Sequence, residues 1–179
     1  MSLKDITKDL HTAAEKTVFA KKLVTGQTTR HEYATYLYNM LAIYDPIEFY
    51  CKHQGVLANL KGIERLRGIY ADFLELEETG TEYYLTPSTM DYHDYLIRLG
   101  NDVNRKHLMK AHMYVRHMGD LFGGQYIARV VPGSGKFYQF ENPEELKAAI
   151  RAELTDDLGD EARMAFEWAI KIMRELGNE

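Results

Sequence analysis

Apolar side chains recur at intervals of three and four along most of this chain, a spacing that suits α-helices buried on one face. It predicts a first helix over about residues 2–15, burying Leu3, Ile6 and Leu10. Thr29-Arg30-His31-Glu32 has the form of a capping box, in which the Thr hydroxyl and the Glu carboxylate satisfy free amides at a helix start. The segment that follows places Tyr33, Leu37, Met40, Leu41 and Tyr44 on one face, and Pro46 is expected to bend or break it. Further helices are predicted over about 60–77, from a second capping box at Ser88-Thr89-Met90-Asp91 to near Gly100, and from about Arg105 into a run rich in glycine. Residues 132–142 form the clearest loop. Asn142-Pro143-Glu144-Glu145 then reads as an N-cap, a proline at the first helical position and acids in the first turn. A last helix carries Ala162, Phe166, Ala169, Ile170 and Met173 on one face. The valines and aromatics near 129–140 lack a partner run for a sheet. The expected class is all-α, a multi-helix bundle. No repeat or linker divides it, so a single domain is expected over 1–179.

Composition narrows the functional classes. The net charge of −5 argues against a nucleic-acid binder, which is usually basic. Charge is unevenly placed: residues 1–30 carry six cations, among them Lys4 and Lys8, against three acids. A basic face on an acidic protein suits an anionic ligand or an acidic partner, although scattered surface charge looks the same. Cys51 is the single cysteine, which excludes an internal disulfide and fits a reducing compartment. The N-terminus is too polar for a signal peptide, and no apolar run approaches the roughly 18 residues that span a bilayer. These features predict a cytoplasmic protein that neither crosses nor binds a membrane.

Two constellations carry candidate chemistry. Lys4, Lys8, His11 and Glu15 fall on one helical stripe. A neutral imidazole can ligate iron through one nitrogen while the other donates outward, and Glu15 is one turn away to accept that proton. Spacing alone equally describes a solvated face with an i,i+4 His–Glu pair, the commoner use of such a run. The second constellation is the string from Tyr114 to Tyr126, with Gly119, Gly123 and Gly124 in six positions. Each glycine within a helix costs about 1 kcal/mol relative to alanine. The glycines either allow a kink and close approach to a flat ligand, with Asp120 handling protons, or mark a helix end that Asp120 caps. His112 and His117 share this segment and are the leading alternatives to His11 as a ligand. No Glu-x-x-His occurs, which weighs against a di-iron site. Cys51 with His53 is a weaker candidate for a thiaminase-like nucleophile.

The string Leu3 to Glu15 resembles the proximal helix of heme oxygenases. Tyr114 to Gln125 resembles their distal helix, with its Gly-Asp-Leu-x-Gly-Gly-Gln signature. Gly26-Gln27-x-x-Arg30, Tyr44, Glu48, Lys147, Arg151 and Phe166 fall in order with matching family positions. The resemblance implies a heme held between a proximal and a kinked distal helix, serving as both cofactor and substrate. Ring opening by O₂ would yield biliverdin, iron and carbon monoxide. His11 would ligate the iron, with Glu15 on its outer nitrogen. Gly119 and Gly123 would let the distal helix approach the porphyrin, with Gly124, Tyr114 and Phe166 also lining the site. Asp120 would anchor the water network that delivers protons, supported by Tyr44 and Arg116. Lys8, Lys147 and Arg151 would pair with the propionates, with Lys4 nearby. Electrons would come from a ferredoxin or a reductase, and the enzyme is expected to act as a monomer.

A heme carrier or sensor without turnover would use His11 alike, whereas Asp120 and the glycines favour the enzyme. The chain departs from the family at Phe122, where a small residue is usual, at Val115, His117 and Met118, which replace Thr-Tyr-Leu, and at Ala169. It is shorter near residues 55–60 and at its C-terminus, so no membrane anchor is expected.

Overall fold

Ser2 and Asp5 exchange side-chain and backbone hydrogen bonds in a capping box that opens the first helix, α1, over Leu3–Glu15. The computed structural model describes residues 2–179. Seven more helices follow: α2 (Val18–Thr25), α3 (Arg30–His53), α4 (Leu66–Leu76), α5 (Pro87–Asn101), α6 (Met109–Ile127), α7 (Pro143–Ala152) and α8 (Gly159–Leu176). Short 3₁₀ turns join several of them, and no strand occurs among the described residues. The expected all-α class holds.

Helix α3 is the axis of the bundle. Tyr33, Leu37, Met40, Ile43, Tyr44 and Ile47 on it are all but inaccessible to solvent, because α4, α5 and α6 each pack against it. Its capping box forms as expected: Thr29 accepts from the Glu32 amide, and Glu32 accepts from the Thr29 amide. Of the bend or break expected at Pro46, the break does not occur: the helix runs through it from Arg30 to His53. Proline forfeits one backbone hydrogen bond and crowds the preceding turn, at about 3 kcal/mol. Ile43, Ile47 and Cys51 are fully buried around it. Burying such side chains contributes about 1.5–3 kcal/mol each, enough to outweigh the local cost.

Other starts also differ. Helix α4 begins at Leu66 rather than near residue 60. Val56–Asn59 form a 3₁₀ turn, and Gly62 takes a left-handed φ of 86° that no helix allows. Helix α5 is capped by Thr86, whose hydroxyl accepts from the Thr89 amide, with Pro87 at the first position. Ser88 is thereby freed to donate to Glu175 on α8 at 2.6 Å. At α7 the Asn142 side chain makes no capping bond and instead donates to Glu145.

Two long-range devices position the functional helices. Arg163 on α8 grips α1, donating to the Ile6 carbonyl at 2.6 Å and to both carboxylate oxygens of Asp9 at 2.8 and 2.9 Å. That bidentate bond holds the Asp9 carboxyl down at about 2. Asp72 on α4 accepts from the amides of Lys136 and Phe137 at 2.9 and 2.8 Å. The loop at 132–142 therefore holds an ordered turn, Lys136–Tyr138, that drives Phe137 and Tyr138 into the core.

Candidate active site

Helix α6 runs unbroken through Gly119, Gly123 and Gly124 to Ile127, so Asp120 lies inside a helix and caps nothing. The three glycines serve two purposes. A side chain on Gly124 would run into the Tyr138 ring, so this glycine lets the ordered turn pack on α6. A Cβ on Gly119 or Gly123 would meet nothing within 4 Å. These two glycines, one turn apart, open a bare strip of backbone to space. That is a cradle for a flat group, and a side chain would fill it.

The strip continues a face shared with the proximal helix. Val115, one turn before Gly119, packs with Leu3 of α1 and with Ala162 and Ala165 of α8, and Tyr114 and Phe166 lie against that cluster. His11 stands edge-on to Phe166, ring centroids 5.8 Å apart. Phe166 thus links the His11 ring to the face of α6 that carries Gly119 and Gly123. The His11 side chain is 56% exposed, and its Nδ1 lies 3.6 Å from Glu15 Oε1, in ion-pair range but too long for a hydrogen bond. Lys4 and Lys8 are exposed on the same helix and make no ion pair among the described residues.

Beneath the strip the chemistry is buried. The Tyr44 hydroxyl donates to Asp120 Oδ2 at 2.6 Å. Burial pushes the Asp120 carboxyl up to about 6, while the charge of His117, the Tyr44 bond, Arg65 and Arg116 pull it down. A buried carboxyl in that range can hold and release a proton near neutral pH. The Arg116 guanidinium lies over the Tyr92 ring at 5.6 Å. Its Nε and Nη2 are buried with no hydrogen-bond partner among the described residues. Such orphaned donors beside Asp120 suit water or a ligand oxygen. Tyr36 and Tyr138, whose hydroxyls meet at 3.3 Å, complete a polar floor.

Phe122 does not enter the core. Its ring is 52% exposed and lies against α7, under Lys147 at 4.4 Å and near Arg151 at 5.7 Å. Lys147 also donates to Glu144 at 2.7 Å. The cations of α7 are therefore tethered at the rim of the glycine strip.

His112 and His117 are not alternatives to His11. Both are fully buried, and each gives Nε2 to a glutamate at 2.9 Å, Glu161 for His112 and Glu48 for His117. Cys51 is buried and its thiol is pushed up to about 12 by burial, which removes it as a nucleophile. Glu48 stood out only as a family match; its pairing with His117, Glu161 itself, and Arg65, which donates to the carbonyls of Phe137 and Gln139, were missed by sequence reasoning. Glu48 and Glu161 lie 69 and 49 residues from their histidines, so no local pattern reveals them.

The heme oxygenase family model matches residues 1–175. The chain belongs to the heme oxygenase family. Oxidative degradation of heme to biliverdin is the function of this family, and heme is both its cofactor and its substrate. Among curated heme oxygenases, heme oxygenase 1 of Rattus norvegicus is 29% identical, over 98% of this chain and 70% of its own length. The heme oxygenase of Porphyra purpurea is 27% identical, over 98% and 85%. The fold agrees with solved heme oxygenases. One from Synechocystis, solved with heme, superposes with a TM-score of 0.84 at 21% identity, over 98% of this chain and 90% of that one. One from Leptospira interrogans gives 0.81 at 23% identity, over 98% and 100%. Among the described residues, no helix is long and apolar enough to cross a membrane.

Proposed function

We propose that this heme oxygenase holds heme between α1 and the Gly119–Gly123 strip of α6, with His11 as the iron ligand. Glu15 orients the outer nitrogen of His11. Tyr114 and Phe166 shape the walls, whereas Gly124 packs on Tyr138 and faces away from the cradle. Lys4 and Lys8 on α1, with Lys147 and Arg151 on α7, meet the propionates. Bound heme supplies the iron that takes up O₂ and electrons and the porphyrin ring that is opened. Asp120 holds the proton the reaction consumes, Tyr44 fixes its carboxyl, and Arg116 offers its unpaired N–H groups to water.

The Tyr44–Asp120 pair carries this reading. A buried carboxyl pushed up to about 6, on the turn of α6 that carries Gly119, suits proton delivery, and a protein that only carries heme has no use for it. Electrons come from an external ferredoxin or reductase, and the exposed cations Lys4 and Lys8 on α1 and Arg151 on α7 favour an acidic donor.

The test is turnover of the heme complex with ascorbate or ferredoxin, read by absorbance. We expect a Soret band on adding heme, then its replacement by a bilin spectrum. His11→Ala loses or alters the axial ligation. Asp120→Ala keeps the Soret band and fails to give bilin normally. A wild-type complex that forms and yields no bilin overturns the oxygenase reading in favour of a carrier.

A further inference from the structure

His117 and His112 are both buried on α6, and the surroundings of His117 differ from those of His112 in one respect. His112 gives Nε2 to Glu161 and meets the Tyr92 hydroxyl through Nδ1 at 2.7 Å. A hydroxyl can donate, so a singly protonated ring satisfies both contacts. Burial accordingly holds His112 below the ordinary imidazole range.

Neither partner of His117 is a natural donor. Nδ1 lies 3.2 Å from the Met113 carbonyl, which only accepts. Nε2 lies 2.9 Å from Glu48 Oε1. Glu48 in turn accepts the Arg65 amide at 2.5 Å on Oε1 and the Leu66 amide at 3.3 Å on Oε2, where it caps the start of α4. The two amides use Glu48 as an acceptor, so both ring nitrogens of His117 face acceptors, and both contacts are hydrogen bonds only when the ring donates from each nitrogen.

The pair adjoins the proton-handling site. Tyr44 and Glu48 are one turn apart on α3, and His117 and Asp120 are one turn apart on α6. The Tyr44 ring, 5.0 Å from the His117 ring, sends its hydroxyl to Asp120. Two rungs cross between the helices: Tyr44 to Asp120, and Glu48 to His117. Of the ionisable groups around this pair, Glu48 bonds to Nε2 and Tyr44 lies against the ring, both from α3; Cys51 and Arg65 lie beside Glu48; and Asp120, one turn on along α6, feels the charges of His117 and Arg116. Among them Cys51 is buried, and its thiol is kept neutral by burial and by the Glu48 charge.

We propose that His117 is a positioning residue kept as an imidazolium by Glu48 and the Met113 carbonyl, a fixed buried cation that sets the proton affinity of Asp120. This rests on the reading of Asp120 as the proton-handling group. In this chain a charged ring does work that a neutral tyrosine cannot.

Nitrogen NMR of heme-free protein labelled with ¹⁵N-histidine tests the first half. At pH 7 both ring nitrogens of His117 should carry protons, whereas His112 should carry one. The His117 signal is assigned by its loss in His117→Gln or, should that variant not fold, by its through-space contacts to the Tyr44 ring. A singly protonated His117 overturns the proposal. Carbon NMR of the Asp120 carboxyl tests the second half. Its midpoint should rise by at least about half a pH unit in His117→Gln and in His117→Tyr. An unchanged midpoint in the folded variants overturns it as well. In the ferric heme complex, His117→Tyr should move the acid–alkaline transition upward. Failure of wild-type protein to bind heme would sink the functional reading and leave both NMR results standing.

Discussion

Tyr44 donates its phenol hydrogen to Asp120 across 2.6 Å, joining α3 to α6 beneath the bare face of Gly119 and Gly123. Burial pushes Tyr44 itself well up, so it remains a donor throughout the physiological range. The bond favours the ionised Asp120. Tyr44→Phe should therefore raise the Asp120 midpoint above its value of about 6. It should also destabilise the protein by about 1.5–3 kcal/mol, the cost of one lost buried hydrogen bond to a charged group. Urea melts at pH 5 and pH 8 check the sign. The loss should be greater at pH 8, where Asp120 is ionised and needs the donor, and an equal loss at both would refute it.

Asp120 lowers the stability of the protein it serves. Its folded midpoint, about 6, lies above the ordinary value of 3.8, so the native state holds a proton the unfolded chain has released. The proton-linked stability is fully present below about pH 4 and is lost as pH rises through about 6. Asp120→Asn keeps an acceptor for Tyr44 and removes the charge. It should stabilise the protein at pH 8 by about 2–3 kcal/mol, from the two-unit shift at 1.36 kcal/mol per unit. That gain should vanish below pH 4. Denaturant melts across pH 4–8 measure it, and a flat difference would show that Asp120 is not desolvated.

Much of this site was legible in the sequence because helical spacing is local. The stripe from Lys4 to Glu15 and the glycine cluster around Asp120 both lie on single helices. What stayed hidden depends on residues far apart. Helix α2 has eight residues, too few for periodicity to stand out, and is fixed by its Thr17 cap, the left-handed Gly26 and packing on α8. Local rules made Pro46 a bend or a break, and burial of Ile43, Ile47 and Cys51 around it kept the helix from breaking. Ser88 looked like a cap because Thr and Asp follow it, yet Thr86 has the better geometry and Ser88 serves Glu175. The ring of Phe122 could be placed only once α7 was seen beside it.

Gly119 and Gly123 should part company with Gly124 under substitution. Alanine at Gly119 or Gly123 meets open space and gains helix propensity, so the heme-free fold should be unchanged or more stable by up to about 1 kcal/mol. Leucine at either position should keep the fold and weaken heme binding at least tenfold, by filling the cradle. Alanine at Gly124 collides with Tyr138 and should cost about 1–3 kcal/mol. Thermal melts with and without heme separate the two classes. Undiminished heme affinity in Gly119→Leu and Gly123→Leu would place the ligand elsewhere.

Phe122 offers the sharpest test of how the rim of the site acts on the product. Its ring supports Lys147 and Arg151 from below, and both are candidates for the propionates. Removing a half-exposed ring should cost the fold little, about 0.5–1 kcal/mol for the cation–π contact. Its effect on the reaction should be larger. Without the ring, the Lys147 ammonium loses one of its two anchors and keeps only Glu144, so it can reach a wider arc along the α6 face. If Lys147 and Arg151 hold the propionates as proposed, a looser Lys147 would hold heme in more than one orientation against the Gly119–Gly123 strip. Phe122→Ala should therefore bind heme with affinity within a few-fold of wild type and yield a broader mixture of biliverdin isomers, resolved by chromatography. Lys147→Ala should broaden it in the same direction and weaken heme binding more at low salt than at high salt. An isomer pattern unchanged in both variants would mean that heme orientation is set elsewhere, by Lys4 and Lys8 on the opposite wall.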